Sequence, residues 1–68
     1  MVRVIKYPGG DEVEVPIKGW RVRVSRILKV LGLKPMEVLV VKEGIPVTED
    51  DYVTQEDVLE IYEVMSTG

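Results

Sequence analysis

The chain contains no Cys, His, Phe, Ala or Asn. Without Cys it has no disulfide framework, no thiolate nucleophile and no cysteine-ligated zinc. Without His it lacks the commonest general base and metal ligand. No apolar run approaches the roughly 18 residues of a membrane span, and the first residues lack a signal-peptide pattern. These absences predict a cytoplasmic protein that is not an enzyme, with no cofactor, no metal site and no membrane partner.

The residues that are present suit one small domain. The length of 68 residues allows a single domain over 1–68, and 46% hydrophobic residues, fourteen of them Val, can supply its core. Charged residues make up 31% of the chain, while Gln55 is the only side-chain amide. Many charges with few thermolabile residues are typical of thermophilic proteins. We therefore expect a monomeric domain from a thermophilic source.

The first part of the chain predicts a β-hairpin. Met1–Tyr7 is rich in Val and Ile, and Pro8–Asp11 is a strong turn signal. Glu12–Lys18 then alternates apolar and polar residues, as a half-buried strand does. Pro16 has no N–H to give to a sheet ladder. The second strand is therefore expected at a sheet edge.

The period changes after the hairpin. The apolar residues at i, i+3, i+4 and i+7 share one helical face: Val24, Ile27, Leu28 and Leu31. Gly32 and Pro35 end this helix, but Arg23 is a poor cap for its start. We expect the four apolar residues to be buried together with Leu59 and Ile61.

The second half predicts a strand over Glu37–Lys42, a brief one at Ile45–Val47, and a last strand over Asp57–Met65. Thr48–Gln55 is polar and acidic and is expected to be an irregular connection. Strands with one central helix indicate an α+β fold: a mixed sheet covered on one face by the helix. With the last strand parallel to the first, this is a β-grasp (ubiquitin-like) fold, followed by a flexible tail at residues 65–68.

The chain resembles the ubiquitin-like sulfur carriers of molybdopterin and thiamine biosynthesis and their small archaeal modifier relatives. The matching stretches are Arg23–Leu33, Val38–Val47 with its Glu43-Gly44 turn, Asp57–Val64 and the tail Met65–Gly68. The resemblance implies a protein carrier activated at Gly68. An ATP-dependent activating enzyme adenylates the terminal carboxylate, and a sulfur donor or a partner cysteine then displaces AMP. The implied partners are that enzyme and a sulfur-acceptor or target protein.

Two positions depart from the family's pattern. The usual Gly-Gly end is Thr67-Gly68 here, and the common Asp-Gly-Asp turn before the last strand is Gln55-Glu56-Asp57. Thr67 is β-branched and stiff, so after Ser66 it adds bulk where the tail must enter an active site. We expect the turn change to be structural and the Thr67 change to affect activation.

Tyr62, Val64 and Met65 cannot all point into the core of a sheet covered by one helix. They are candidates for an apolar surface that binds a partner, although an ordinary cross-strand pair would also explain them. A second function therefore stays open: a ubiquitin-like docking module that binds through its sheet and is never activated. Trp20, just before the helix, is expected to cover the core.

Charge is unevenly distributed. Six basic residues and no acid lie between positions 18 and 34, whereas eight acids and no base follow position 42. The two regions either pair with each other or leave an acidic surface that steers the tail toward a basic partner. The acidic residues near Asp50 lack the spacing of an EF-hand loop, so they are not a candidate calcium site. Net charge −3 argues against nucleic acid as a partner.

Overall fold

The structure, a computed structural model, describes residues 1–64. The strands are β1 (Val2–Tyr7), β2 (Asp11–Val15), β3 (Arg21–Arg23), β4 (Val38–Lys42), β5 (Ile45–Val47), β6 (Tyr52–Thr54) and β7 (Val58–Glu63). One α-helix, α1 (Val24–Val30), follows β3, and a 3-10 turn at Pro35–Glu37 precedes β4. The proposed tail at residues 65–68 lies outside the described residues.

Five strands form a mixed sheet in the order β2-β1-β7-β4-β5. The first and last strands, β1 and β7, are parallel neighbours in its interior, with Val4 opposite Leu59. The other pairs are antiparallel. This β-grasp arrangement confirms the predicted fold class and the parallel pairing. Strand β2 lies at the edge, as expected. The expected end at Lys18 is wrong, because β2 ends at Val15, immediately before Pro16, which cannot donate to a ladder.

The core lies between α1 and one face of the sheet. Among residues 1–64 it consists of ten buried side chains: Val2, Val4, Val15, Val24, Ile27, Leu28, Val40, Val53, Leu59 and Ile61. Five of the six predicted core residues are among them, and Leu31 packs against the cluster while only partly buried. Burial of each such side chain contributes roughly 1.5–3 kcal/mol to the free energy of folding.

A second, two-stranded ribbon pairs β3 with β6. The expectation of an irregular connection over Thr48–Gln55 is therefore wrong at Tyr52–Thr54, which is a strand, and it holds for the residues on either side. Its one inward residue, Val53, is buried opposite Val22. A three-residue strand with a single buried side chain leaves too little alternation to recognise in the sequence.

The loop before β6 explains how α1 starts without a side-chain cap. Arg23 occupies the cap position and makes no capping hydrogen bond, as expected from its poor cap chemistry. Instead the N–H of Val24 donates to the Asp51 carbonyl at 2.8 Å, and the N–H of Ser25 donates to the Glu49 carbonyl at 2.9 Å. These carbonyls satisfy two of the donors that every helix start leaves free.

The turn before β7 is built by side chains. Asp57 Oδ2 accepts the N–H of Thr54 at 2.6 Å and lies 3.6 Å from Lys42 Nζ. The Gln55 amide donates to the Gly19 carbonyl at 2.7 Å and to the Ile17 carbonyl at 3.3 Å. The Gln-Glu-Asp sequence thus holds the turn against two neighbouring segments, in agreement with the structural role expected for it.

Candidate partner-binding face

The helix covers only one face of the five-stranded sheet. Side chains alternate along each strand, so the residues between the buried ones lie on the other face. We call this surface the open face and define it by the central residues Ile5, Tyr7, Leu39, Val41, Glu60 and Tyr62. Leu39 is 46% exposed and Tyr62 is 37% exposed, although both occupy interior strands. The open face is therefore apolar, central and accessible.

Two tyrosines on adjacent parallel strands form its centre. Tyr7 and Tyr62 are register partners, and their rings stack with centroids 4.8 Å apart and an interplanar angle of 10°. Each phenol donates a long hydrogen bond, 3.4 Å, to Glu60 Oε2. One carboxylate thus restrains both hydroxyl groups. The stacked pair presents a flat, pre-ordered aromatic surface, which loses little conformational entropy when a partner covers it.

The surroundings of Tyr62 alter its ionisation. Partial burial raises the pKa of the Tyr62 phenol above its ordinary value, and the Glu60 carboxylate adds to the increase. The phenol therefore keeps its donor proton to a higher pH than a freely exposed tyrosine does.

Strand β7 leads from this face toward the chain's last residues. Val64 follows it and is 56% exposed, and its N–H donates to the Glu37 carbonyl at 2.9 Å. That bond holds the end of β7 against the start of β4. A shallow groove of about 330 Å³ lies beside it, bordered by Lys34, Glu37 and Glu63. The proposed site residues Met65, Ser66, Thr67 and Gly68 lie outside the described residues.

The sequence prediction named two of the residues on or beside this face, Tyr62 and Val64. Tyr7, Leu39 and Glu60 were missed, because only the strand register shows that they surround Tyr62. Tyr62 makes a cross-strand pair with Tyr7, on a face that nothing in residues 1–64 covers, and its binding of a partner stays a prediction.

Trp20 does not cover the core as expected. It is 59% exposed and precedes β3 in a bend. The residues that close this end of the core are Val22 and Ile17, which are partly buried against it.

The basic and acidic regions meet at the β3–β6 ribbon. Arg21 lies over the Tyr52 ring, 4.3 Å from its centroid, and Arg23 Nε donates to the Tyr52 hydroxyl at 3.2 Å. This hydrogen bond lowers the pKa of Tyr52. Within residues 1–64 the ion pairs are Arg3–Glu12 and Lys42–Asp57, so none joins the two regions. Both regions remain largely available to charged partners.

Residues 1–64 offer neither a metal-binding group nor a membrane-spanning helix. Among positions 1–64, no group of three or more Asp and Glu side chains is arranged to hold a metal ion. No helix in this part of the chain is long and apolar enough to cross a membrane.

These observations define a small β-grasp protein with an open apolar sheet face. The chain matches no family profile. It is 41% identical over 64 residues to a protein of Archaeoglobus fulgidus that carries the name "Uncharacterized protein", and the match covers 94% of each chain. The chain belongs to the same family as this archaeal protein.

Proposed function

We propose that this protein is a ubiquitin-like sulfur carrier or protein modifier that is activated by adenylation at Gly68. In this reaction a carboxylate oxygen attacks the α-phosphorus of ATP and pyrophosphate leaves. A sulfur nucleophile then attacks the acyl-adenylate carbon and AMP leaves, giving a thiocarboxylate or a thioester. The protein contributes its carboxylate and a docking surface, and the activating enzyme supplies the catalysis.

The parallel β1–β7 pair is the observation that supports this proposal. It makes β7 a central strand that is hydrogen-bonded on both sides, so the residues after Val64 follow a firmly held strand. The stacked Tyr7 and Tyr62 lie on these two strands, and Tyr62 is two residues before Val64. A partner that docks on the open face would therefore contact the strand that leads into the chain's last residues. Pre-ordered aromatic side chains of this kind dominate many protein interfaces.

Activation can be tested with a protein that ends at Gly68. It is incubated with ATP and each adenylating enzyme of the same organism, and ATP–pyrophosphate exchange is measured. Mass spectrometry then detects the replacement of one carboxylate oxygen by sulfur. Thr67→Gly should raise the exchange rate, because it removes a stiff branched side chain next to the reacting carboxylate. Deleting Gly68 should abolish exchange without changing thermal stability. If wild type and Thr67→Gly are both inert with every enzyme, the carrier function is refuted.

The docking surface has its own test in the same assay. Tyr62→Ala removes half of the aromatic stack and should raise KM for the carrier by about tenfold, as loss of an interface anchor does. Its kcat should change little, because Tyr62 does not touch the reacting carboxylate. Lys29→Ala is the matched control, since Lys29 is exposed on the helix side of the molecule. Equal KM values for the two variants would contradict docking through the open face.

The exposed aromatic face also supports a second candidate, a docking module that is never activated. A variant lacking Ser66–Gly68 separates the two functions. A photoreactive side chain at position 62 should cross-link the same partner in the full chain and in the shortened one if the protein is only a docking module. ATP–pyrophosphate exchange by that cross-linked partner with the full chain, lost in the shortened one, would favour the carrier.

A further inference from the structure

The stacked tyrosines form part of a pocket at one end of the open face. We call it the aromatic pocket and define it by its lining residues Tyr7, Pro8, Tyr62 and Glu63. Its volume is about 360 Å³. The two aromatic rings have centroids 4.8 Å apart and are nearly parallel. The pocket therefore has flat ring walls, built by residues that are neighbours only because β1 and β7 pair.

The charged groups around this pocket are acidic. Glu63 lines it, and the Glu60 carboxylate accepts a hydrogen bond from each phenol at 3.4 Å. The salt bridges within residues 1–64 involve neither Glu60 nor Glu63. Lys6, the neighbouring base in the sequence, alternates with Tyr7 along β1 and so lies on the other face of the sheet. The pocket is thus flanked by carboxylates that have no salt-bridge partner in this part of the chain.

Aromatic rings and carboxylates together favour a cation as the ligand. The face of a tyrosine ring attracts a positive charge, and the attraction grows when the cation is partly removed from water. A guanidinium suits this combination better than an ammonium, because it is planar and can lie flat against a ring while its edge donates N–H groups to a carboxylate. The chain already contains such a contact, since the Arg21 guanidinium lies 4.3 Å from the centroid of the Tyr52 ring. The chemistry of the pocket therefore favours an arginine side chain.

We propose that the aromatic pocket binds an arginine side chain of the partner that docks on the open face. The guanidinium lies against the tyrosine rings, and its edge donates hydrogen bonds to the Glu63 carboxylate. This inference names the chemistry of the partner, so it rests on the docking proposed above. It does not require adenylation at Gly68.

The test uses a defined probe, the peptide acetyl-Leu-Arg-Leu-amide, and a control peptide in which citrulline, the uncharged isostere, replaces arginine. An NMR titration at low salt should show saturable shifts of the Tyr7 and Tyr62 ring protons, with a Kd of about 1–10 mM for so small a ligand. The citrulline peptide should bind more weakly by about threefold or more, because it lacks the positive charge. Added salt should weaken the arginine peptide and leave the citrulline peptide unchanged.

Variants of the protein separate the ring contact from the charge contact. Tyr62→Leu keeps the apolar bulk without the ring and should weaken the arginine peptide by about threefold or more, whereas Tyr62→Phe keeps the ring and should stay within about 1.5-fold of wild type. Glu63→Lys should weaken binding by about fivefold or more, because it replaces an attraction with a repulsion. Glu56→Lys changes net charge equally but lies before the opposite end of β7, and should leave the affinity within about twofold of wild type. Glu63 is exposed, so its variant keeps the test valid if Tyr62→Leu does not fold.

Three results would overturn the proposal. The first is equal binding of the arginine and citrulline peptides, or no ring shift at about 20 mM arginine peptide, where a millimolar site would be largely occupied. The second is equal weakening by Glu63→Lys and Glu56→Lys, which would mean that net charge alone attracts the peptide. The third is an unchanged affinity in a folded Tyr62→Leu variant, which would mean that the ring contributes nothing.

These measurements contain neither ATP nor an activating enzyme. Failure of arginine binding would therefore leave the result of the exchange assay unchanged. Failure of activation would in turn leave the arginine result unchanged, so the two proposals are refuted by different experiments.

Discussion

Leu28 is the most informative place to perturb the core. Its side chain is 1% exposed on the inner face of α1. Leu28→Ala removes buried groups and leaves a cavity, which typically costs roughly 2–5 kcal/mol. A domain of this size has a total stability of roughly 3–10 kcal/mol. The substitution should therefore lower the thermal midpoint by roughly 8–40 °C, since each kcal/mol shifts the midpoint of such a domain by about 4–8 °C.

Urea denaturation followed by circular dichroism measures this free energy of unfolding directly. Lys29→Ala is the matched control, because Lys29 follows Leu28 on the same helix and its side chain is exposed. It should change the free energy by less than about 0.5 kcal/mol. A loss below about 0.5 kcal/mol for Leu28→Ala would refute the assignment of this helix face to the core.

Two further predictions concern polar groups. Asp57→Ala should lower the free energy of unfolding, measured by chemical denaturation, by about 2 kcal/mol, because it removes a charged acceptor from the Thr54 N–H. Asp57→Asn keeps a neutral acceptor and should recover about half of that free energy. A loss equal in both variants would contradict the hydrogen-bond explanation. NMR of the tyrosine Cζ carbons should show Tyr52 ionising at lower pH than Tyr62, because the Arg23 hydrogen bond lowers the first pKa and partial burial raises the second. The stability contributed by neutral Tyr62 is complete below the pKa of the unfolded chain and is lost as pH rises through the pKa of the folded protein. The stability contributed by ionised Tyr52 has the opposite dependence. It is present above the pKa of the unfolded chain and is lost as pH falls through the pKa of the folded protein. The opposite order of ionisation would contradict both assignments.

The parts of the fold that could be predicted are those with a repeated local pattern. Alternation indicated the hairpin and the last strand, the helical spacing indicated α1, and Pro16 indicated the edge. The β3–β6 ribbon could not be predicted, because each strand has three residues and its pairing joins segments far apart in the chain. The start of α1 was poorly marked for the same reason, since its hydrogen-bond partners are the distant Glu49 and Asp51 carbonyls.

The candidate partner-binding face could also be predicted only in part. Tyr62 could be recognised because it alternates with the buried Leu59 and Ile61 on its own strand. Its contact with Tyr7 depends on which residues of two parallel strands stand side by side. That register is decided by the packing of the whole core, and no feature near either tyrosine indicates it.

The parallel pairing of the first and last strands has a mechanical consequence. Force applied to the start of β1 and to the end of β7 acts along both strands in opposite directions. The hydrogen bonds from the Arg3–Val58 pair to the Tyr7–Tyr62 pair then share the load together, whereas the bonds of a peeled hairpin would break one after another. A pulling experiment between the two ends should therefore meet its greatest resistance at the β1–β7 pair, before any other part of the sheet separates.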